Sequence, residues 1–415
     1  MNRPANDTRG AAENKRTAGP GLSGLVRALR WVPTVAALGL SIALIGACGD
    51  SIYPRVSDSA TATPTITTSP TTGNFLYSSN FGDGKVARFT RNTSSGALTF
   101  NGPTAAGAVK GPTGIANGLN AKFLYVTNAA NNNVRQFRIT SSSGVLTPIG
   151  TGAIATGKAP QWIAVTPNAQ FAYVTNFGNG TISEYTVNTS SGALTANGTF
   201  TSNLLKAPVA AVASNSWLYV TDSTNGTIVS FPINPDGTLA AGTATSLGAG
   251  TTPGPVIMDP TGQYVYVTDE SVGAVYFLTV GTGVLTFAAG PYQSSSAGEG
   301  GLVLATNTTS GTLFPSFLYV ANQMSSPPSI SLFLVNTDGS LNTPPTVFPD
   351  TTLTLLNLPT GLVVDPTNAF LYVANQGNGT VTQLSITTVT GALTSPVAVS
   401  TESATSKPLF LAIGD

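Results

Sequence analysis

From residue 74 onward, short runs of apolar, aromatic and β-branched residues are separated by turns rich in Gly and Asn. One such run is Phe123–Asn128, and an alternating run, Thr181–Val187, follows the dipeptide Asn179-Gly180. Asn-Gly between two such runs is typical of a tight β-hairpin, because both turn positions need a positive φ. The pattern therefore predicts an all-β chain built from antiparallel hairpins.

The runs repeat as seven copies of one unit, each centred on a tyrosine in a Tyr-Val-Thr-Asn-like motif. The central tyrosines are 46 to 53 residues apart: Tyr77, Tyr125, Tyr173, Tyr219, Tyr266, Tyr319 and Tyr372. Each unit carries four strand signals, namely the tyrosine run, the run after the turn, a run opened by Gly-x-Leu, and a Pro-led apolar run such as Pro160–Val165. Four strands per repeat of this length predict the blades of a β-propeller.

The two ends of the repeat region indicate how the ring closes. The first unit starts at its tyrosine run and has no Pro-led run, whereas the chain finishes with a Pro-led run from Pro408 to Ile413. We expect this last run to complete the first blade and remove the open sheet edges. Residues 74–415 are thus predicted to form one closed seven-bladed β-propeller.

The N-terminal region has the features of a targeting signal. Basic residues precede an apolar run, Trp31 to Ala47, that is shorter than the about 20 residues of a membrane-spanning helix and suits a signal peptide. The run ends at Cys48, the only cysteine, in a context resembling a bacterial lipobox. We expect a lipoprotein signal peptide at 1–47, a membrane anchor at acylated Cys48, and a Ser/Thr/Pro-rich tether at 48–73. Gly49, in place of a retaining aspartate, favours the outer membrane of the cell envelope, facing the periplasm or the cell surface.

The amino-acid composition excludes several classes of catalytic and metal-binding site. The chain has no histidine and one cysteine, which excludes Ser-His-Asp and Cys-His catalysis, an internal disulfide and an imidazole-based zinc site. Lys+Arg and Asp+Glu are both 17, and no charge run is long enough to bind nucleic acid. We expect neither a cofactor nor a metal.

The sevenfold motif across residues 74–414 resembles that of YVTN-type propellers and of the seven-bladed lactonase family, which includes 6-phosphogluconolactonase. The resemblance implies a propeller fold and, as an expectation, lactone hydrolysis. Related cyclases of the family use a histidine with glutamate and arginine. Because this chain has no histidine, that mechanism does not carry over.

Two sets of polar residues recur in register. An Asn or Asp ends each tyrosine run, and its presence in every copy favours a turn role over a binding role; these are Asn80, Asn128, Asn176, Asp222, Asp269, Asn322 and Asn375. Four of the seven lysines lie just before a Pro-led run: Lys110, Lys158, Lys206 and Lys407. If the lysines converge on the axial opening, they would bind a carboxylate or phosphate. The alternative is four separately solvated lysines.

Carboxylates near the same opening could act as a general base that activates water for lactone opening. Glu299, in a Gly-flanked segment predicted to be a loop, is the candidate catalytic residue, with a plain salt-bridge partner as its alternative role. Asp269 and Glu270 form an adjacent acidic pair on another hairpin. Arg88 and Arg91 are predicted, by strand alternation, to lie on an outer solvated face.

Two functions stay open from the sequence. The first is hydrolysis of a lactone or small anionic ester, with a small anionic sugar or lactone bound at the channel mouth. The second is a non-catalytic interaction module that presents propeller loops to an envelope protein or glycan. The missing histidine favours the second, and the lysines with Glu299 favour the first.

Overall fold

The computed structural model describes residues 73–104, 111–294, 298–306, 315–349, 355–401, 403 and 405–414. Cys48, the signal peptide and the tether lie outside these residues. The described residues form seven four-stranded antiparallel sheets, arranged as a β-propeller. One 3₁₀ turn, Leu119–Ala121, is the only helical element among them, and no helix there is long and apolar enough to cross a bilayer.

Within each blade the strands follow one another from the innermost to the outermost. Blade 1 consists of β28 (Pro408–Gly414), β1 (Phe75–Asn80), β2 (Lys85–Arg91) and β3 (Leu98–Pro103). Blade 2 consists of β4 (Pro112–Asn117), β5 (Phe123–Asn128), β6 (Asn133–Ile139) and β7 (Leu146–Ala155). Blade 3 consists of β8 (Pro160–Val165), β9 (Phe171–Asn176), β10 (Thr181–Val187) and β11 (Leu194–Thr201). Blades 4 and 5 are β12 (Pro208–Ala213), β13 (Trp217–Asp222), β14 (Thr227–Pro232) and β15 (Thr243–Ser246); β16 (Pro253–Met258), β17 (Tyr264–Asp269), β18 (Ala274–Val280) and β19 (Leu285–Gln293). Blades 6 and 7 are β20 (Glu299–Thr306), β21 (Pro315–Asn322), β22 (Ser329–Leu334) and β23 (Thr346–Pro349); β24 (Pro359–Val364), β25 (Phe370–Asn375), β26 (Thr380–Ile386) and β27 (Leu393–Ser400).

The Pro-led runs form the inner strands, which pack against one another in blade order around the axis. They are buried along nearly their whole length because both faces of an inner strand are covered, one by each neighbouring blade. The tyrosine runs form the second strands and are likewise buried. The third strands are also mostly buried, whereas the outermost strands are largely exposed.

The predicted closure is confirmed. Strand β28 pairs antiparallel with β1, with Leu76 opposite Ile413 and Tyr77 opposite Ala412. Strand β28 also packs between the inner strands of blades 7 and 2. The first and last segments of the propeller therefore share one sheet, in which β28 pairs with the inner edge of β1.

The motif tyrosines join each blade to the next. In six of the seven junctions the tyrosine hydroxyl donates a hydrogen bond of 2.7–2.8 Å to the carbonyl of the Gly-x-Leu glycine in the following blade. Tyr372 of blade 7 donates to Gly96 of blade 1, so the set includes the closing junction. Burial raises the pKa of these tyrosines well above the ordinary value, which keeps the hydroxyls protonated as donors.

Two independent features of each junction require glycine, namely the backbone conformation and the close approach of an aromatic ring. Gly144 has a φ of +66°, and a Cβ on it would lie 2.4 Å from the Phe75 ring of the preceding blade. The same kind of contact recurs at all seven junctions, including two Gly-x-Leu copies at Gly283 and Gly339 that the repeat pattern alone did not reveal. A side chain at this position would meet both a left-handed backbone and an aromatic ring.

One sequence expectation about the third strands is wrong. Arg91 is buried, and its guanidinium forms an ion pair of 3.2 Å with Asp365 of blade 7, with both side chains fully buried. Its Nε donates to the Gly73 carbonyl. Strand alternation placed Arg91 on an outer face, but the neighbouring blade covers the end of β2. Arg88, by contrast, stays partly exposed and donates to Ser143 of blade 2.

Candidate functional site

One face of the ring gathers the candidate residues. We call it the top face: it is the face at which the inner strands begin and the tyrosine runs end. Both sets of strand ends meet there because inner and second strands are antiparallel, as shown by Pro160 opposite Asn176 and Pro208 opposite Asp222. The hairpin turns that join the second and third strands of each blade lie on this face as well.

The motif Asn and Asp side chains on this face are fully buried and serve the fold. Asp222 Oδ2 accepts the backbone N–H groups of Lys206 and Ala207 at 2.6 and 2.9 Å, and Asn375 Oδ1 accepts that of Asn357. These bonds fix the chain as it enters an inner strand. The predicted turn role is seen at Asp222 and Asp269, whose Oδ1 atoms accept backbone N–H groups of the turns that follow, and at Asn375 at the strand start. It is not seen at Asn128, whose two side-chain polar atoms have no partner among the described residues.

Three of the four lysines lie on the top face, at the start of inner strands. Lys158 and Lys206 are exposed and Lys407 is half-buried, whereas Lys110 lies outside the described residues. Their backbones are fixed: the Lys158 carbonyl accepts from Gly178, and the Lys407 carbonyl accepts from Phe81. We call the four positions the lysine arc, because in sequence order they belong to blades 1 to 4, one half of the ring.

Glu299 does not lie in a loop as the sequence suggested. It is the first residue of β20, opposite Asn322, and therefore takes the place that proline holds in the other six inner strands. A β-bulge lies between Glu299 and Leu302, and beyond it Leu302 pairs with Val320, so β20 pairs with β21 on both sides of the bulge. Its backbone belongs to the top face of blade 6.

The type of residue that follows each motif Asn or Asp differs between two sets of blades on the top face. Its backbone N–H generally donates to the carbonyl of the residue just before the inner strand, as Glu270 does to Thr252 and Gln376 to Leu358. In blades 1 to 4 this post-motif residue is Phe81, Ala129, Phe177 and Ser223. In blades 5 to 7 it is Glu270, Gln323 and Gln376, which we call the Glu–Gln arc. A polar arc thus faces the blades that carry the lysine arc.

Glu270 is the carboxylate of this arc, and its side chain is half-buried. Its Oε1 atom is buried and has no hydrogen-bond partner among the described residues. Its side chain lies over Gly254 of β16, where a Cβ would come within 2.8 Å of Oε1. Burial, and secondarily the adjacent Asp269 carboxylate, raise the pKa of Glu270 well above its usual value of 4.5.

Two carboxamides complete the arc. Gln323 and Gln376 are 7% and 6% exposed, and Gln323 Nε2 donates to Gln376 Oε1 at 3.2 Å. Gln376 Nε2 is buried and has no acceptor among the described residues. Sequence reasoning missed both glutamines, although comparing the seven copies at the post-motif position would have revealed them.

The interior below the mouth is filled on one side. Trp162 of β8 and Phe410 of β28 meet edge to face, with ring centroids 5.7 Å apart and both rings buried. Gly114 of the intervening blade leaves room for this approach, because a Cβ on it would lie 3.0 Å from Trp162 Cα. The two rings thus fill part of the space between the inner strands of blades 1 to 3.

The buried carboxylates differ in whether the fold satisfies them. Glu184 is more fully buried and its pKa is also raised, but its Oε1 accepts the Leu239 N–H across a blade junction. Glu184 is thus satisfied within the fold, and Glu270 is not. Among the residues that the structure describes, no group of three or more Asp, Glu, Cys or His side chains is arranged to hold a metal ion.

Comparison with known proteins places the chain among propellers. The family model described as "Lactonase, 7-bladed beta-propeller" matches residues 51–156 and 150–405, which is most of the chain. No curated protein matches the chain in sequence.

Several solved structures share the fold. The periplasmic gluconolactonase of Pseudomonas aeruginosa is 17% identical with a TM-score of 0.68, and the match covers 82% of this chain and 99% of that one. A 6-phosphogluconolactonase candidate from Bacteroides fragilis is 19% identical with a TM-score of 0.68, covering 82% and 98%. A Lactobacillus plantarum protein is 20% identical with the same TM-score, covering 81% and 98%. At these identities the likeness establishes the fold alone.

Proposed function

Because the chain belongs to the lactonase family of seven-bladed β-propellers, we propose that it hydrolyses a lactone at the top face, with Glu270 as general base. The observation that carries this proposal is a buried carboxylate oxygen without a partner among the described residues, on the face where the inner strands begin. A carboxylate with a raised pKa is a stronger base than an ordinary one and suits proton transfer near neutral pH.

The chemistry needs only side chains that the protein holds. Glu270 takes a proton from a water molecule as the water oxygen attacks the lactone carbonyl carbon, and the carbonyl π electrons move to oxygen. The tetrahedral intermediate then collapses, the ring C–O bond breaks, and the ring oxygen takes the proton from Glu270. No histidine is required, which agrees with its absence from the sequence. Glu299 of the neighbouring blade is the second carboxylate that could fill this role.

The test compares three glutamate variants in a lactonase assay of the full-length protein on glucono-δ-lactone and its 6-phosphate. We expect Glu270→Gln to lower kcat by about 10²–10⁴-fold, the contribution of a general base. Glu184→Gln is the matched control, since the amide oxygen still accepts from Leu239, and it should keep full activity. An unaffected Glu270→Gln with an inactive Glu299→Gln would move the base to Glu299.

The pH profile gives a second readout. A base must be deprotonated, so kcat/KM should rise with pH through an acidic limb lying above the ordinary glutamate value of 4.5. Because the folded pKa is raised, Glu270 lowers stability as the pH rises through that pKa. Glu270→Gln should therefore melt higher than the parent at neutral pH, and this advantage should shrink toward pH 4.5. If no lactone is hydrolysed at any pH, the non-catalytic interaction module becomes the better explanation.

The lysine arc gives this activity a substrate preference. We propose that Lys110, Lys158, Lys206 and Lys407 attract a phosphate or carboxylate on the substrate. Replacing all four by Gln should raise KM for the phosphorylated lactone. The double variant of the exposed Lys158 and Lys206 should keep the melting temperature of the parent, because exposed lysines contribute little to stability. The KM of the parent should also rise with added salt. A KM that responds to neither change would leave the lysines as solvated strand starts.

We also propose where the protein resides. Acylation at Cys48 would anchor it to the bacterial envelope, outer membrane favoured, with the propeller on a tether. The related Pseudomonas propeller is a periplasmic protein, which supports an envelope site. Labelled palmitate should enter the parent and not the Cys48→Ser variant. Equal labelling of both would remove the anchor.

A further inference from the structure

We infer that Gln376 is a catalytic residue that donates a hydrogen bond to the lactone carbonyl oxygen, and that Gln323 positions it. The inference rests on the proposed hydrolysis and assigns its oxyanion donor. It starts from a buried amide: Gln376 is 6% exposed, yet its Nε2 has no acceptor among the described residues. Burying an N–H group without a partner is costly, so such a group calls for an explanation.

The orientation of the Gln376 amide is set by its neighbour. Gln323 Nε2 donates to Gln376 Oε1 at 3.2 Å, which uses the oxygen as acceptor and leaves the NH₂ group directed away from Gln323. The Gln376 backbone is fixed as well, because its N–H donates to the Leu358 carbonyl at the start of the inner strand. The free donor is therefore preorganised, which is what stabilisation of a developing oxyanion needs.

The motif position two residues earlier also differs in the two blades that carry glutamine. In blades 1 to 5 the residue two before the post-motif residue is Ser or Thr, and several of these hydroxyls bond to the next inner strand, as Thr175 does to the Val209 carbonyl at 2.9 Å. In blades 6 and 7 that residue is Ala321 or Ala374. The two blades that lack the hydroxyl are the two that carry glutamine. At these two places the motif thus supplies a methyl group rather than an acceptor.

We assign the two chemical roles to the two end residues of the Glu–Gln arc. Glu270 in blade 5 takes the proton of the attacking water. Gln376 in blade 7 donates its N–H to the carbonyl oxygen as negative charge develops there, and no proton leaves Gln376. Gln323 lies between them in blade 6 and holds the Gln376 oxygen. A donor of this kind contributes about 10²–10³-fold to kcat.

The experiment uses Gln376→Met in the full-length protein with glucono-δ-lactone as substrate. We expect kcat to fall about 10²–10³-fold with little change in KM, because the donor acts mainly on the transition state. The melting temperature should stay the same or rise, since an unpaired buried amide is removed. Gln323→Met should lower kcat less than Gln376→Met does, because the donor remains but its orientation is no longer fixed.

Gln136→Met is the matched control. Gln136 is also buried, at 6% exposure, but its Oε1 accepts the Leu194 N–H across a blade junction. This variant should melt lower and keep its kcat, the opposite result to Gln376→Met. A hydrolytic parent whose Gln376→Met variant keeps its kcat overturns this inference alone. A parent that hydrolyses none of the lactones overturns the proposed function together with it.

Discussion

At the scale of single residues, the seven motif tyrosines have a role that goes beyond filling the core. Six donate to a glycine carbonyl of the next blade, and the donor is kept protonated by burial. The exception is Tyr219, whose hydroxyl makes no hydrogen bond to the described part of the chain. At its junction Trp217 replaces phenylalanine and lies against Gly283. The molecule thus contains its own control for the value of one junction bond.

We predict that Tyr173→Phe lowers the free energy of unfolding by about 1–2 kcal/mol, because it removes one bond and leaves the buried Gly237 carbonyl unpaired. Tyr219→Phe should change that free energy by less than about 0.5 kcal/mol, since no bond is lost. Denaturant melts of both variants beside the parent measure the difference. Equal losses would show that the junction bonds add nothing to packing.

At the scale of elements, blades 1 and 7 are joined by more than the β28–β1 pairing. The buried Arg91–Asp365 pair links β2 to the turn that follows β24. Asp365 also accepts the N–H groups of Ala369 and Phe370, so the pair ties a turn and a strand together. At the position of Arg91 blade 2 carries an apolar residue, Ile139, and blade 3 carries Val187. The ion pair therefore marks the junction at which the ring closes.

We predict that Arg91→Leu lowers the free energy of unfolding by about 3–5 kcal/mol, because Asp365 keeps a buried charge without its partner. Arg138→Leu is the control: Arg138 is exposed and donates to Ser191 of the next blade, so its loss should cost less than about 1 kcal/mol. Thermal melts compare the two. Similar shifts for both would mean that the closing pair is no stronger than a surface contact.

At the scale of the whole molecule, the junction tyrosines make the ring sensitive to alkaline pH. Their folded pKa values lie well above the ordinary 10.0, so above pH 10 the unfolded chain releases protons that the folded chain retains. Stability is then fully present below pH 10 and falls as pH rises further.

We expect the seven tyrosines to titrate together with unfolding rather than before it. Tyrosinate absorbance and circular dichroism, followed in one alkaline titration, should change in the same cooperative transition above pH 10. Motif tyrosines that ionise while the circular dichroism stays native would contradict a junction role for their hydroxyls.

The sequence by itself determined the all-β class, the number of blades and the closing strand, because strand periodicity, turn residues and a sevenfold repeat are local signals that do not depend on distant contacts. It also predicted the turn role of the motif Asn and Asp.

Tertiary structure decided what each repeat position contacts. It showed Arg91 to be buried, because a neighbouring blade covers a strand end that is distant in sequence. It separated Glu184, whose Oε1 accepts the Leu239 N–H, from Glu270, whose buried Oε1 has no partner among the described residues, because the partner of a side chain lies far away in the sequence. It also paired Gln323 with Gln376, 53 residues apart, because blades that follow one another in the chain bring equivalent positions to one face.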